Sequence, residues 1–359
     1  MGHCQQAASA LRPPDALARA EAAEHHRRLT KPPGSLGRLE HVGIRLAGIS
    51  GASPPPLPAP AVVAVFAADH GVVAEGVTPW PQDVTAQMVA NICNGGAAIN
   101  VLARHAGAQV LVVDVGVAAS LGPAPGLLLR KVRSGTANIA VEPAMTFDEA
   151  GAALDIGAEV AARAVEDGAR CLVTGDMGIG NTTASAAVIA SFTGRTAGEV
   201  TGRGTGIDDP TFDRKVLVVE TALGRAADDR ALDADPVTIL ASVGGLEIAA
   251  LAGFIIGGAA ARVPVIVDGV IALAGLVVAA RIAPGAVPFC FAGHRSTEPG
   301  ASVVLAHLGL EPILDLNMRL GEGSGACLAL PIVEAAAKVL REMATFDAAG
   351  VSHKPEQSP

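Results

Sequence analysis

The stretch LNMRLGEGSGA, Leu316 to Ala326, holds one carboxylate, Glu322, between Gly321 and Gly323. The glycines allow backbone conformations closed to residues with a Cβ, so the acid can be held at an unusual angle. An apolar helical pattern starts near Ser324, whose hydroxyl suits an N-cap. A carboxylate presented from such a turn has the form of a positioned general base. A solvated loop acid beside a C-cap glycine is the alternative for the same residues.

Two further glycine-rich segments carry a different chemistry. GDMGIGNTT, Gly175 to Thr183, follows a strand pattern and opens a helix, a context that aims backbone N–H groups and a helix dipole at an anion. Its glycines at 175, 178 and 180 do not fit GxGxxG, and no Lys-Ser/Thr pair makes it a P-loop. A purely structural tight turn is the alternative. GRGTG, Gly202 to Gly206, adds Arg203, and Lys215 follows about a helix length downstream. Two glycine clusters and a cation can enclose one phosphate and its ribose, although a helix lysine taken alone is usually just solvated.

Asp69-His70-Gly71 and Gly293-His294-Arg295 lack HxxH or HxH spacing and make a poor zinc signal. They read as polar residues that shape a substrate site, and no catalytic metal is expected. No GxSxG elbow supports a serine hydrolase. Asp69, Asp114 and Asp268, at the ends of strand patterns, suit either helix caps or ribose contacts.

These residues need a scaffold. The chain of 359 residues is half hydrophobic with only 3% aromatics, no Tyr and one Trp. A core of Ala, Val, Leu and Ile suits helices packed closely on a parallel sheet. A net charge of -9 argues against nucleic-acid or anionic-membrane partners. Five scattered Cys without CxxC spacing imply reduced thiols and a cytoplasmic setting. The amino terminus lacks the apolar run of a signal peptide. Val237 to Ala283 is strongly apolar, but Glu247, Arg262, Pro264 and Asp268 keep any uncharged run below the roughly 18 residues of a membrane span.

In chain order, residues 1–13 are expected to fray, and helices are expected over Pro14–Leu29 and Leu36–Ile49. The proline-rich linker GASPPPLPAP follows. Ala61–Asp69 and Ala108–Val117 are apolar, β-branched runs of the kind found in strands buried on both faces. Val84–Ala106 reads as one helix, with Gln87 and Asn91 a turn apart on one face. Helix over Phe147–Asp167, a strand into Gly175, a helix to Leu223, helix over Leu246–Ala261 and strand over Val263–Gly269 come next. Helix over Val270–Ile282, a strand before Gly293, and helices over Ser302–Leu308 and Ser324–Phe346 complete the pattern. The alternation predicts an α/β fold, a Rossmann-like and mostly parallel sheet flanked by helices, with a small helical domain that includes the N-terminal helices. The expected division is residues 1–60 as helical segment and linker, 61–346 as the large domain, and 347–359 as a flexible tail.

KPPGSLGRLE, AADHGV, QMVANICNGGAAIN, GDMGIGNTTASAA, GRGTGIDD, SVGGLEIAALAGF, GHRSTEPGA and LDLNMRLGEGSGACLALPIVEAA occur in this order from about Leu29 to Phe346. Together they resemble the nicotinate-nucleotide:dimethylbenzimidazole phosphoribosyltransferase family of cobalamin assembly. The resemblance implies transfer of a 5-phosphoribosyl group from nicotinate mononucleotide to 5,6-dimethylbenzimidazole. It places the catalytic base on Glu322 and the phosphate region on Gly175, Gly178, Gly180, Asn181, Gly202, Arg203 and Gly204. Lys215 falls at a functional lysine, and Asp176 where the family often has the longer Glu. The base pocket is expected near Pro79–Gln87 and Leu316–Glu322, with Gln87, Met177 and Leu320 in its lining. A homodimer is also implied.

In nicotinate mononucleotide the ribose C1′ bears a cationic pyridinium that can leave as neutral pyridine, so no general acid is needed. Bond formation acidifies the remaining N–H of the benzimidazole, and one base suffices, worth about 10²–10⁴-fold. No cofactor is expected. A nucleotide-dependent oxidoreductase, against which the missing GxGxxG counts, and a non-catalytic nucleotide- or base-binding module are the competing readings.

Overall fold

The computed structural model describes residues 2–352. Three helices come first: α1 (His3–Ala10), α2 (Ala16–Arg28) and α3 (Arg38–Ser50). Fraying is expected over residues 1–13; residue 1 lies outside the described residues, and among the rest α1 is an ordered helix. Buried Cys4 packs α1 against the main body, and the Cys4 N–H donates to Asp155 Oδ1 at 2.8 Å. Asp15 caps α2 by accepting the Ala18 N–H, a short-range signal that fixes its start.

β1 (Ala61–Ala68) is almost entirely buried, as its unbroken apolar run requires. The segment read as one helix over Val84–Ala106 is two, α4 (Val84–Cys93) and α5 (Ala98–Ala106). Asn94-Gly95-Gly96 breaks it: Gly95 has φ +79°, in the left-handed region that a continuing helix forbids. β2 (Ala108–Gly116) follows, then β3 (Leu127–Leu129), three residues too short to show alternation. α6 (Phe147–Glu166) opens with a capping box of Thr146 and Glu149. β4 (Cys171–Met177) leads into α7 (Asn181–Thr193), the short α8 (Ala197–Val200) and α9 (Asp209–Asp228).

α10 (Pro236–Val243), missing from the sequence reading, begins with Asp235 as cap and Pro236 at the first helical position. α11 (Leu246–Ala260), β5 (Val265–Val267), α12 (Val270–Ile282), β6 (Cys290–Ala292) and α13 (Pro299–Leu308) complete the sheet and its cover. α14 (Ser324–Glu342) and the short α15 (Phe346–Ala349) end the described chain. Residues 353–359 of the expected tail lie outside the described residues.

All strand pairs are parallel, in the order β3-β2-β1-β4-β5-β6. The chain winds outward from β1 to β3, returns across the sheet, and winds the other way from β4. The carboxyl ends of β1 and β4 thus diverge at a topological switch point, where open α/β sheets bind ligands. α11 covers β1, β2 and β4 on one face, while α14 packs on β4 and β5 together with α3 and α5.

Small residues make the layers close. A Cβ on Gly157 of α6 would collide with the Ala250 carbonyl of α11, and one on Gly253 with the Leu154 carbonyl. The two helix backbones are in contact, so few aromatics are needed to fill the space.

Candidate active site

The site lies over the switch point. A Cβ on Gly178, just past β4, would collide with the Ala68 carbonyl at the end of β1, so the diverging chains touch there. A cavity of about 310 Å³ opens above them. Its walls come from Trp80, Val84 and Met88; from Asp176 to Ile179 with Asn181 and Thr182; and from Gly204 and Thr205. Gly269 to Ile271, His294, Ser296, Glu298 and Arg319 to Glu322 complete the lining. The volume falls in the range of small-molecule sites.

One corner lies at the amino end of a helix, where positive potential gathers. Gly180, at φ +93°, turns the chain into α7, whose first residues Asn181 and Thr182 face the cavity with their helix amino end. Beneath this corner Lys215, reaching up from α9, is 1% exposed. Its Nζ donates to Thr182 Oγ1 at 2.8 Å and to the Gly202 carbonyl at 3.0 Å. Burial lowers its pKa to about 8, with the Glu298 carboxylate opposing the shift. Gly204 lies over the ammonium: a Cβ there would come 3.4 Å from Nζ. Arg319 Nη1 donates to the Gly204 carbonyl at 2.7 Å, and Glu298 Oε1 accepts the Gly204 N–H at 2.8 Å.

Opposite stands Glu322, 6% exposed, with φ +64° between two glycines that also have positive φ. Its Oε2 accepts the Ile99 N–H at the amino end of α5, at 3.1 Å. Burial raises its pKa above the usual carboxylate range; the Ile99 bond opposes the rise and the charge of Asp268 adds to it. Asp176 is pushed much further up, by burial first and then by the charges of Asp268 and Glu247. Its Oδ2 accepts from Asn181 Nδ2 at 3.1 Å, while Oδ1 has no partner. Ser324 is the first residue of α14 and not its cap; Gly323 occupies the cap position. The acceptor is Asp268, from beyond β5, which takes the N–H groups of Gly323 and Ala326.

The sequence model of the phosphoribosyltransferase family matches residues 11–351. A protein of Salinispora tropica named nicotinate-nucleotide--dimethylbenzimidazole phosphoribosyltransferase is 54% identical over 98% of this chain and 99% of its own length. One of the same name from Chloroflexus aurantiacus is 56% identical over 91% of this chain and 92% of its own. The crystal structure of CobT from Thermus thermophilus superimposes with a TM-score of 0.90 at 49% identity, covering 94% of this chain and all of that one.

The chain belongs to the nicotinate-nucleotide:dimethylbenzimidazole phosphoribosyltransferase family. The Rossmann-like strand order is therefore that of a transferase family, and the comparisons do not support the oxidoreductase alternative.

The motifs that announced the family distribute unevenly around the cavity. Asp176, Met177, Gly178, Asn181, Gly204, Leu320 and Glu322 line it. Gly175 lies behind: a Cβ there would stand 2.7 Å from the Glu322 carbonyl, so this glycine lets the Glu322 turn sit flush on β4. Gly180 and Gly202 likewise make room, the latter for the Glu298 carboxylate. Gln87 points outward on α4, and its neighbours Val84 and Met88 face the cavity instead. Arg203 is exposed, paired with Asp209 and donating to the Ile207 carbonyl at 2.9 Å, with its guanidinium over Phe212. The cation on the cavity wall is Arg319. His294 does face the site, whereas His70 is buried away from it, 2.8 Å from Glu247 Oε1. Trp80, Glu298 and Arg319 were missed, although the first lies inside the Pro79–Gln87 stretch and the last beside the glycine-framed acid.

Proposed function

We propose that this protein transfers the 5-phosphoribosyl group of nicotinate mononucleotide to 5,6-dimethylbenzimidazole, giving nicotinate and α-ribazole 5′-phosphate. One observation carries the reading: a single cavity is lined both by Glu322, whose carboxyl is raised, and by Asn181, Thr182 and Gly204, the last two lying over the buried ammonium of Lys215. The 5′-phosphate fits that corner, where helix amides, Lys215 beneath Gly204 and nearby Arg319 supply positive potential. Binding energy collected there holds C1′ in place, away from the phosphate itself.

The acceptor ring then lies between the apolar side chains of Trp80, Val84, Met88 and Leu320, with one nitrogen toward C1′ and the other N–H toward Glu322. As the C1′–N bond forms, the pyridinium leaves as neutral nicotinate ring and the acidified N–H passes its proton to Glu322. A carboxyl raised toward neutrality is a better proton acceptor than an ordinary one. Burial first, then the charges of Asp268 and Glu247, raise Asp176 well above the usual carboxylate range, which favours its protonated form over a second anion beside the base.

The reading extends to a cytoplasmic homodimer. Five unpaired cysteines suit a reducing compartment, and exposed Val101 and Leu316 leave apolar surface that a second copy can cover. Among the described residues no helix is long and apolar enough to cross a membrane.

Incubating the purified protein with nicotinate mononucleotide and dimethylbenzimidazole, and following nicotinate and the ribosylated base by chromatography, tests the reading. Release of nicotinate that depends on the acceptor is expected. Binding of both compounds without release would leave only a binding module.

A further inference from the structure

The Glu322 turn needs an external restraint. Gly321, Glu322 and Gly323 have φ of +87°, +64° and +90°, and the left-handed conformation is unfavourable for a residue with a Cβ. Asp268 is fully buried one residue past β5. Its Oδ2 accepts the Gly323 N–H at 3.2 Å and its Oδ1 the Ala326 N–H at 2.9 Å. Its own N–H donates to Thr174 Oγ1 of β4 at 3.0 Å, so the carboxylate is itself anchored to the sheet. From behind, β4 closes on the turn: a Cβ on Gly323 would lie 2.9 Å from the Thr174 carbonyl.

We propose that Asp268 is a positioning residue for the transfer, gripping the amides beside Glu322 so that this residue keeps its left-handed backbone and presents its carboxylate to the cavity. The inference rests on the transferase reading of the same site. Asp268 also acts through space. The charged and titratable groups around Glu322 are Asp176 from β4, Asp268 from beyond β5 with His294 Nε2 3.4 Å from its Oδ1, and Arg319 and Glu298 elsewhere on the cavity wall, while the amide end of α5 meets the carboxylate itself. After burial, the charge of Asp268 contributes to holding the Glu322 carboxyl above its usual range.

Two variants separate positioning from mere helix capping. Asp268→Asn keeps the shape but loses the charge and sets an NH2 group against a backbone N–H. Asp268→Glu keeps the charge and displaces the oxygens. Nicotinate release at saturating substrates is followed across pH, beside thermal melts. Asp268→Asn is expected to lower kcat about 10–100-fold, the order of loss from a small misplacement of a catalytic group. Its KM for nicotinate mononucleotide stays unchanged, and the acid limb of kcat moves to lower pH. Asp268→Glu lowers kcat with the limb in place. Wild-type kcat in Asp268→Asn, or a fall with an unmoved limb, overturns the proposal. Should Asp268→Asn not fold, Asp268→Glu decides, and wild-type kcat there overturns it. A wild-type protein that releases no nicotinate would instead remove the transferase reading.

Discussion

The Glu322 carboxylate and the Ile99 N–H meet at 3.1 Å across 223 residues of chain. The contact joins the Glu322 turn before α14 to the amino end of α5, where the helix dipole favours negative charge. One carboxylate oxygen is thereby fixed, and Oε1 is left for a proton from the cavity.

Glu322→Gln preserves an oxygen that can accept the Ile99 N–H, so its melting temperature should match the wild type. Turnover should fall by about 10²–10⁴-fold, the usual worth of a general base. Nicotinate release under saturating substrates measures the first effect against a melt for the second.

Lys215 sets the alkaline side. On the proposed reading its positive charge favours the phosphate, and with a pKa of about 8 it loses that charge as pH rises through this value. We expect kcat/KM for nicotinate mononucleotide to decline above pH of about 8, because this ratio reports groups of the free enzyme. The proposed base, Glu322, acts in the opposite sense, since acidification protonates its raised carboxyl and removes it as a proton acceptor. Lys215→Met should abolish the alkaline decline and lower kcat/KM by roughly 10–100-fold, because it removes a buried charge and its charged hydrogen bonds, about 1.5–3 kcal/mol each, to Thr182 and the Gly202 carbonyl under the corner.

Trp80 is the only tryptophan and the chain has no tyrosine, so intrinsic fluorescence reports this one residue of the cavity wall. Titration with dimethylbenzimidazole should change that emission. Trp80→Ala should raise the KM for the base by about 2–10-fold, the equivalent of about 0.5–1.5 kcal/mol of aromatic stacking. An unchanged KM would place the base elsewhere.

Gly157→Ala tests the scaffold. The added methyl meets the Ala250 carbonyl, which is backbone of α11 and cannot rotate away. A loss of about 1–3 kcal/mol is expected from such overpacking. A shifted urea midpoint with an unchanged slope would show it.

The chain sequence by itself determined the alternation of strands and helices, because burial on both faces demands unbroken apolar runs such as Ala61–Ala68. It also marked the Glu322 turn, since only glycines tolerate the backbone on either side of it. Local signals stopped there. Whether Lys215 is solvated or buried, and whether Arg203 or Arg319 faces the cavity, depends on which elements pack around each side chain. Gln87 turned outward while Met88 turned in, a matter of helix rotation set by distant contacts. The return of the chain from β3 across β1 to β4 is what brings residues 80, 176, 204 and 322 around one space. Sequence patterns record conformation and burial over a few residues, whereas the convergence of charges is fixed by contacts between segments hundreds of residues apart.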